Sequence, residues 1–187
     1  AAKAREFVRQ FPHPVAVVGV EELGHHADIV VECAPPELLP RIAEPVLRAM
    51  FPTYFHIGKI GDGGRAKLAV NLILGLNRLA VAEGLVFAER LGLDPEAFLK
   101  VVRRSAAYSQ VMDIKGSKMT RGEFAAEGRI TQHLKDVHLM LEQAERVKQR
   151  LPLLAIHADV LEACVRQGEG DLDNSAVIKE IRRRTRS

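Results

Sequence analysis

The sequence predicts a mostly α-helical protein: an all-helical bundle built on one long buried helix, preceded by an incomplete α/β segment. Residues 1–50 alternate between helical patterns and short runs that are apolar throughout, as in a parallel sheet covered on both faces. From residue 51 onward the strand pattern stops, and nearly every later segment has helical periodicity. This change of pattern predicts two domains, residues 1–50 and residues 51–187.

The first domain contains two candidate strands, VAVVGV (15–20) and ADIVVECA (27–34). Helical patterns at 3–11 and 36–50 flank them, which is typical of a βαβ unit. A parallel sheet of two strands cannot bury both of its faces, so the predicted sheet is incomplete within this sequence. Three explanations stay open: absent segments, a hybrid chain, or a truncation that keeps only the helical domain intact.

The second domain begins with a short extended stretch, 53–58, and continues with helices. The first helix runs from about residue 63 to 91 and has apolar residues on nearly every side, which predicts burial all round. At ~1.5 Å per residue it is roughly 40 Å long. Gly92 ends this helix, and Asp94 and Pro95 provide the N-cap and first residue of the next. The later helical patterns span 95–106, 109–119, 130–150, 151–168 and 175–184.

Composition excludes several classes of function. The formal charge is only +3, and four arginines near the end (Arg182, Arg183, Arg184 and Arg186) account for much of the basic excess as a solvated tail. No basic face with interleaved aromatic residues is evident, which argues against nucleic-acid binding. No run of eighteen apolar residues occurs, which argues against a membrane span. Without a signal-peptide pattern, and with Cys33 and Cys164 interpreted as reduced core residues, we expect a cytoplasmic protein.

The stretch HIGKIGDGGRAKLAVN (56–71) joins a glycine-rich turn to the long helix. It does not fit a nucleoside-triphosphate loop, because Lys67 does not directly follow the last glycine and no Ser or Thr comes next. One interpretation is a plain helix start. In the other, Lys67 and Asn71 lie one turn apart and face a cavity. Burial would then lower the pKa of Lys67 toward values suited to proton transfer, and Asn71 could hold a substrate oxygen.

Two further stretches carry polar residues. In HLKDVH (133–138), His133 and His138 fall on different faces of a helix, which predicts no metal site. Lys135 and Asp136 are by themselves a surface charge pair. In GDLDNS (170–175), helix capping accounts for Asp173 and Ser175.

Four stretches together resemble a known family. GKIGDGGRAKLAVN (58–71), AEGLVFAERLGLD (82–94), HLKDVHLML (133–141) and GDLDNSAV (170–177) resemble, in order and spacing, the C-terminal domain of β-hydroxyacid dehydrogenases, among them 3-hydroxyisobutyrate dehydrogenase. The resemblance covers residues 53–184. It implies a helical domain that packs behind an NAD(P)-binding Rossmann domain and often builds a dimer, so a homodimer or tetramer is expected.

The same resemblance implies roles for single residues. Lys67 matches the catalytic lysine, which exchanges a proton with the substrate oxygen while hydride moves to or from the nicotinamide. Asn71 matches the substrate-orienting asparagine, and Lys135 matches a lysine close to the cofactor, NAD or NADP. The expected substrate is a small 3-hydroxy acid or its semialdehyde. Because imine-reducing relatives usually lack the lysine, Lys67 favours hydroxyl or carbonyl chemistry.

The sequence also departs from the family pattern. Gly128 stands where some glyoxylate-reducing members carry a substrate-facing phenylalanine, and the family's G-x-G-x-x-G and D-x-P-V-S-G-G stretches are absent. Residues 26–47 resemble part of the Rossmann domain of L-aspartate dehydrogenase, which implies that Ala34 and Pro35 pass near the nicotinamide ribose; a plain strand end is the alternative. Two other functions therefore stay open: a non-catalytic helical dimerisation module, and an aspartate-dehydrogenase-like amine dehydrogenase.

Overall fold

A computed structural model describes Phe55, residues 57–59 and residues 61–184. The chain divides into two compact units, Ala1–Gly63 and Gly64–Ser187, and the described residues belong almost entirely to the second. The strands predicted at 15–20 and 27–34, the helices predicted before residue 51, and Cys33, Ala34 and Pro35 lie outside the described residues. The predicted boundary between residues 50 and 51 stays a prediction.

The described residues form helices and no strand, which confirms the predicted all-helical domain. A π-helical turn, Met112–Gly116, leads directly into the α-helix Ser117–Arg121, and a short 3-10 helix, Asn174–Ala176, leads into the α-helix Val177–Arg183. The α-helices of this part of the chain are α1 (Asp62–Arg90), α2 (Pro95–Val102), α3 (Ser117–Arg121), α4 (Ile130–Arg146), α5 (Pro152–Arg166) and α6 (Val177–Arg183).

The predicted signals between α1 and α2 are confirmed. Gly92 adopts a φ of 83°, a left-handed conformation that ends α1 at low cost only in glycine. The Asp94 carboxylate accepts a hydrogen bond from the Ala97 amide at 2.7 Å, and Pro95 is the first residue of α2. α2 is shorter than predicted because beyond Val102 the chain continues in tighter turns, in which the amides of Arg104 and Ser105 donate to carbonyls three residues earlier. The Ser105 hydroxyl also donates to the Val102 carbonyl at 2.8 Å.

One hydrophobic core joins these helices. α4 and α5 pack against each other as a helical hairpin, and α6 packs on α5. Cys164 on α5 is fully buried as a free thiol, as predicted, and burial raises its pKa to about 11. The largest fully buried apolar side chains are Leu85, Met119, Ile130, Leu154, Leu161 and Ile178.

The prediction that the long helix is buried on all sides is wrong for the chain by itself. All the buried residues of α1 lie between Gly75 and Ala88, and none lies in its first three turns. Ile73 and Phe87 are 58% and 65% exposed. The reason is length: at ~1.5 Å per residue a helix of 29 residues is about 43 Å long, whereas the 17 residues of α4 span about 25 Å. The shorter helices therefore cover only one side of part of α1.

α1 is also long and apolar enough, by length and composition, to cross a membrane. An 18-residue window within Asp62–Arg90 has a mean hydropathy of 1.5, and 39% of that window is buried. Core helices of water-soluble proteins pass the same test, so this finding is weak evidence for a span. The predicted lack of a membrane stays a prediction.

The arginines near the end of the chain do not form a solvated tail over the part that the structure describes. Arg182 Nε donates to Glu89 at 3.0 Å, Arg183 donates to both carboxylate oxygens of Glu169 at 2.8 Å, and Arg184 donates to Asp159 at 2.7 Å. These arginines instead tie α6 to α1, to α5 and to the turn after α5. The acids lie far away in the sequence, so composition alone could not reveal the pairing.

Candidate active site

The glycine-rich turn before α1 requires its glycines. Gly58 and Gly61 have φ values of 150° and 91°, conformations that L side chains rarely adopt. A Cβ at Gly58 would also collide with the carboxylate of Asp62. That carboxylate accepts a hydrogen bond from the Lys59 amide at 2.8 Å, which fixes the entry into the helix. The glycines thus start α1, as the first of the two interpretations of this stretch expected.

Lys67 and Asn71 lie one turn apart on α1, as predicted, but not in an enclosed cavity. Lys67 is exposed and Asn71 is half-buried, so the described residues do not surround the two side chains. Leu68 and Leu72, the next residue after each, pack against the core. Because successive residues are ~100° apart around a helix, Lys67 and Asn71 lie beside the core-facing side of α1, at the edge of the domain. The catalytic and substrate-binding roles of these two residues stay predictions.

α1 and α4 are in close contact at a glycine. A Cβ placed on Gly75 would lie 2.9 Å from Nε2 of His133, so a larger residue there would require the His133 ring to move. Gly75 is one turn beyond Asn71 and two turns beyond Lys67, about 6 and 12 Å along the axis. His133 is two residues before Lys135 on α4. The crossing therefore brings the two stretches that carry the predicted site residues into one region of the domain.

Lys135 and Asp136 lie on α4 near this crossing. Lys135 is exposed and Asp136 is half-buried. Both positions fit a surface charge pair. Because Lys135 is exposed, its ammonium group is also accessible to an anionic cofactor. The predicted role of Lys135 in cofactor binding stays a prediction.

A buried ion pair fixes the start of α4, and sequence analysis missed half of it. Lys115, in the π-helical turn, donates to the carboxylate of Asp173 at 2.9 Å, although 58 residues separate them. Asp173 is fully buried, and the amides of Glu127 and Gly128 donate to the same oxygen at 3.1 and 3.3 Å. The other oxygen accepts from the amide and hydroxyl of Ser175, as predicted for a cap. Asp173 therefore joins three segments of the chain, including the one that leads into α4.

Main-chain pairing completes this junction. The Ile130 amide donates to the Leu172 carbonyl at 3.0 Å, and the Asn174 amide donates to the Gly128 carbonyl at 2.8 Å. A Cβ at Gly128 would lie 3.0 Å from the side-chain nitrogen of Asn174. A phenylalanine at Gly128, as some glyoxylate-reducing enzymes have, would therefore require Asn174 to move.

The charge of Asp173 depends on its partners. Burial acts to raise its pKa, but the hydrogen bonds from Ser175, Lys115 and the Glu127 amide outweigh it and hold the pKa well below the usual range. Asp173 is therefore ionised at all ordinary pH values, and Lys115 lies beside a permanent negative charge.

Sequence reasoning also missed the buried polar residues Arg78 on α1 and His157 on α5. Both lie in apolar helical patterns, where a polar residue was a detectable signal of a special position. Sequence could not show that Arg78 lies close to His157 and Asp173, because both residues are more than 50 positions away from it.

The sequence of the helical domain places it in a known family. Residues 61–181 match the family model described as "NAD-binding of NADP-dependent 3-hydroxyisobutyrate dehydrogenase". The chain belongs to the 3-hydroxyisobutyrate dehydrogenase family. The match begins in the glycine-rich turn and ends within α6, so it covers α1–α5 and most of α6.

Several known proteins are similar to the chain in sequence, and a solved structure of this family is similar in fold. It is 31% identical over 140 residues to glyoxylate/succinic semialdehyde reductase 2, chloroplastic, of Arabidopsis thaliana, covering 75% of this chain and 39% of that protein. It is 28% identical over 166 residues to the cytokine-like nuclear factor N-PAC of Aedes aegypti, covering 89% of this chain and 30% of that protein. The crystal structure of 3-hydroxyisobutyrate dehydrogenase (ygbJ) from Salmonella typhimurium matches with a TM-score of 0.71 and 26% identity, over 75% of this chain and 50% of that one.

These comparisons confirm the predicted family and the fold of the helical domain. The chain spans only 30–50% of the length of these three relatives. What the family establishes for this chain is its membership, a domain of the NAD-binding type, and relatives that are oxidoreductases. The activity, substrate and partners of the whole protein belong to the proposals below.

Proposed function

We propose that this 3-hydroxyisobutyrate dehydrogenase family chain belongs to an NAD(P)-dependent oxidoreductase that interconverts a small 3-hydroxy acid and its semialdehyde. The observation that carries the proposal is the match of residues 61–181 to the family, together with a lysine and an asparagine one turn apart at the edge of the domain. A small-molecule substrate fits this position, because both side chains can reach a ligand without passing through the core.

Each predicted site residue has a distinct task in this proposal. Lys67 would take the hydroxyl proton during oxidation and return it during reduction, and Asn71 would hold the same oxygen by a hydrogen bond. The nicotinamide, NAD or NADP, supplies or accepts the hydride when it is bound. Lys135 offers an exposed positive charge to an anionic dinucleotide, and Ala34 and Pro35 would lie against its ribose.

Lys67 also separates this reaction from amine formation. An aspartate-dehydrogenase-like enzyme reduces an imine, and no lysine is needed to take a hydroxyl proton. Lys67 therefore favours the hydroxy acid. A substrate screen that includes oxaloacetate with ammonia distinguishes the two reactions, since turnover with that mixture alone would contradict the proposal.

The test of the proposal is cofactor binding followed by turnover. NADH and NADPH are titrated into the purified protein while nicotinamide fluorescence is recorded, and 3-hydroxy acids and semialdehydes are then screened for NAD(P)H formation or loss. We expect saturable binding below millimolar cofactor and turnover of at least one small hydroxy acid or semialdehyde. Binding without turnover of any such pair would contradict the proposed reaction.

A second candidate is a non-catalytic helical module. It is favoured by the similarity to N-PAC, whose name is that of a nuclear factor and not of a dehydrogenase. A complete lack of NADH and NADPH binding at millimolar concentration would support this module. We further propose that the protein is cytoplasmic and assembles as a homodimer or tetramer, with the exposed apolar side of α1 in the contact.

A further inference from the structure

Three buried polar side chains from different helices meet beside Gly75. They are Arg78 on α1, His133 on α4 and His157 on α5, with exposed fractions of 4%, 8% and 0%. Within the described part of the chain, Arg78 Nε and Nη1, His133 Nε2 and both ring nitrogens of His157 have no hydrogen-bond partner. Buried polar atoms are almost always satisfied, so five unpaired nitrogens in one place call for a physical explanation.

Gly75 permits this arrangement. A Cβ there would lie 2.8 Å from Cε1 of His157 and 2.9 Å from Nε2 of His133. The two rings lie with their centroids 5.1 Å apart and their planes tilted by 49°. Arg78 is three residues beyond Gly75 and therefore projects from the same side of α1. The charge of Arg78 acts on both histidine rings, so the unpaired nitrogens belong to one cluster where three helices come together.

The cluster carries one positive charge. Burial, with a smaller contribution from the charge of Arg78, lowers the pKa of His133 to about 3 and that of His157 to about 4, so both rings are neutral near pH 7. Burial lowers the pKa of Arg78 only to about 10, so the guanidinium keeps its charge. Each neutral imidazole still has one N–H donor to offer.

No acid in the described part of the chain hydrogen-bonds this charge. Asp173 acts on Arg78 through its charge, but both of its oxygens already accept hydrogen bonds from Lys115, Ser175 and backbone amides. Asp173 therefore offsets part of the charge but leaves the N–H groups of the buried guanidinium unpaired, which is unfavourable. Water could occupy these donors, but an anion would pair with them and also offset the rest of the charge.

A metal ion does not fit this chemistry. Two imidazoles are possible ligands, but the guanidinium beside them would repel a cation. Among the described residues no group of three or more His, Cys, Asp or Glu side chains is placed to hold a metal. Hydrogen-bond donors beside a fixed positive charge are instead the groups with which proteins bind an anion.

We propose that Arg78, His133 and His157 form a buried binding site for a small monovalent anion such as a halide ion. The anion accepts hydrogen bonds from the guanidinium and from the imidazole N–H groups, and it joins α1, α4 and α5. The site does not depend on the proposed dehydrogenase activity, because none of its residues is assigned to substrate or cofactor.

The test combines crystallography with thermal unfolding. Crystals grown in sodium bromide are examined for an anomalous bromide peak beside the Arg78 guanidinium. In parallel, the unfolding temperature is measured against chloride concentration at constant ionic strength, with gluconate as the balancing anion. We expect the peak at the cluster and an unfolding temperature that rises with chloride, because a ligand that binds only the folded state stabilises it.

Two variants separate this site from general salt effects. In Arg78→Met the chloride dependence should vanish, whereas Arg104→Met, which removes an exposed arginine, should keep it. Bromide only at surface positions, an adventitious ion only, would overturn the proposal. A chloride dependence that persists in Arg78→Met, or an unfolding temperature independent of chloride, would overturn it as well. The wild-type bromide map decides the matter even if Arg78→Met fails to fold.

Discussion

At the residue scale, the positions of Lys67 and Asn71 bear directly on chemistry. Both were identified from a glycine-rich turn, an i, i+4 spacing and a resemblance. Sequence could place them one turn apart because helical periodicity is local. It could not decide whether they lie in a cavity, since the burial of a side chain depends on contacts with residues far away in the sequence.

Replacing Lys67 by alanine tests its proposed role as acid and base. We expect the turnover number to fall by about 10²–10⁴-fold, because proton transfer by a positioned group contributes about that much, while the cofactor dissociation constant changes little. Steady-state kinetics and a nicotinamide fluorescence titration measure the two effects. Lys59→Ala, an exposed lysine in the turn before α1, is the control and should retain activity. Unchanged turnover in Lys67→Ala would rule out the role.

Gly75 and Gly84 form a matched pair on α1 for testing the helix crossing. Gly75→Ala places a methyl group against His133 and His157 at 2.8–2.9 Å and should lower the free energy of unfolding by about 1–3 kcal/mol. A Cβ at Gly84 would meet no side chain of the described residues within 4 Å, so Gly84→Ala should raise it by roughly 0.5–1 kcal/mol through helix propensity. Urea unfolding of both variants provides the measurement, and equal effects would contradict the close packing at Gly75.

At the element scale, the start of α4 depends on the Lys115–Asp173 pair. The cap role of Asp173 was predictable, because Asp followed by Ser two residues later is a local signal. Its partner was not predictable, because Lys115 lies 58 residues away and a π-helical turn presents it. The starts of α1, α2, α4 and α5 follow from local chemistry and were predicted to within one residue, whereas α2 and α4 end four residues earlier than predicted. Contacts between distant segments arise only when the whole domain packs.

Asp173→Asn tests how much this pair stabilises the domain. The variant keeps the size of the side chain but leaves Lys115, 9% exposed, paired only with the exposed carboxylate of Glu127. The free energy of unfolding should fall by at most about 3–5 kcal/mol, the cost of a buried charge with no partner. Asp171→Asn is the control, because its side chain is 87% exposed and forms only a surface pair with Arg129. Chemical denaturation should show at most about 1 kcal/mol for that change; a similar value for Asp173→Asn would contradict the structural role.

At the scale of the whole molecule, stability should depend on pH through His133 and His157. Their pKa values fall from 6.5 when unfolded to about 3 and about 4 when folded. Between about pH 4 and 6.5 the unfolded chain therefore binds more protons than the folded one. Stability thus rises with pH through this window and is lost as the pH falls, by up to about 1.4 kcal/mol per pH unit for each histidine.

Urea unfolding at several pH values between 4 and 7 measures this dependence. His157→Asn should reduce the slope between pH 4 and 6.5, because it removes one of the two titrating groups. His138→Asn, which changes an exposed histidine, should leave the slope nearly unchanged. Identical slopes in the wild type and His157→Asn would show that the buried ring does not control acid stability.

Assembly is a second property of the whole molecule, and the exposed apolar side of α1 bears on it. Ile73 and Phe87 expose apolar surface that a second copy could cover, in keeping with the proposed homodimer or tetramer. Ile73→Lys should shift the protein toward monomers in size-exclusion chromatography with light scattering. Val147→Lys, which alters an exposed apolar residue between α4 and α5, should leave the mass unchanged. A monomeric wild type would contradict the proposed assembly.

The uneven burial of α1 has a further consequence for motion. From Gly75 onward the helix is held by the core, and Glu89 near its end is tied to Arg182 of α6, 93 residues away. The first three turns, which carry Lys67 and Asn71, have no buried residue. Local opening costs least where few apolar contacts hold the backbone. Binding at Lys67 and Asn71 would therefore order the least stable part of α1, and part of the binding free energy would be spent on that ordering.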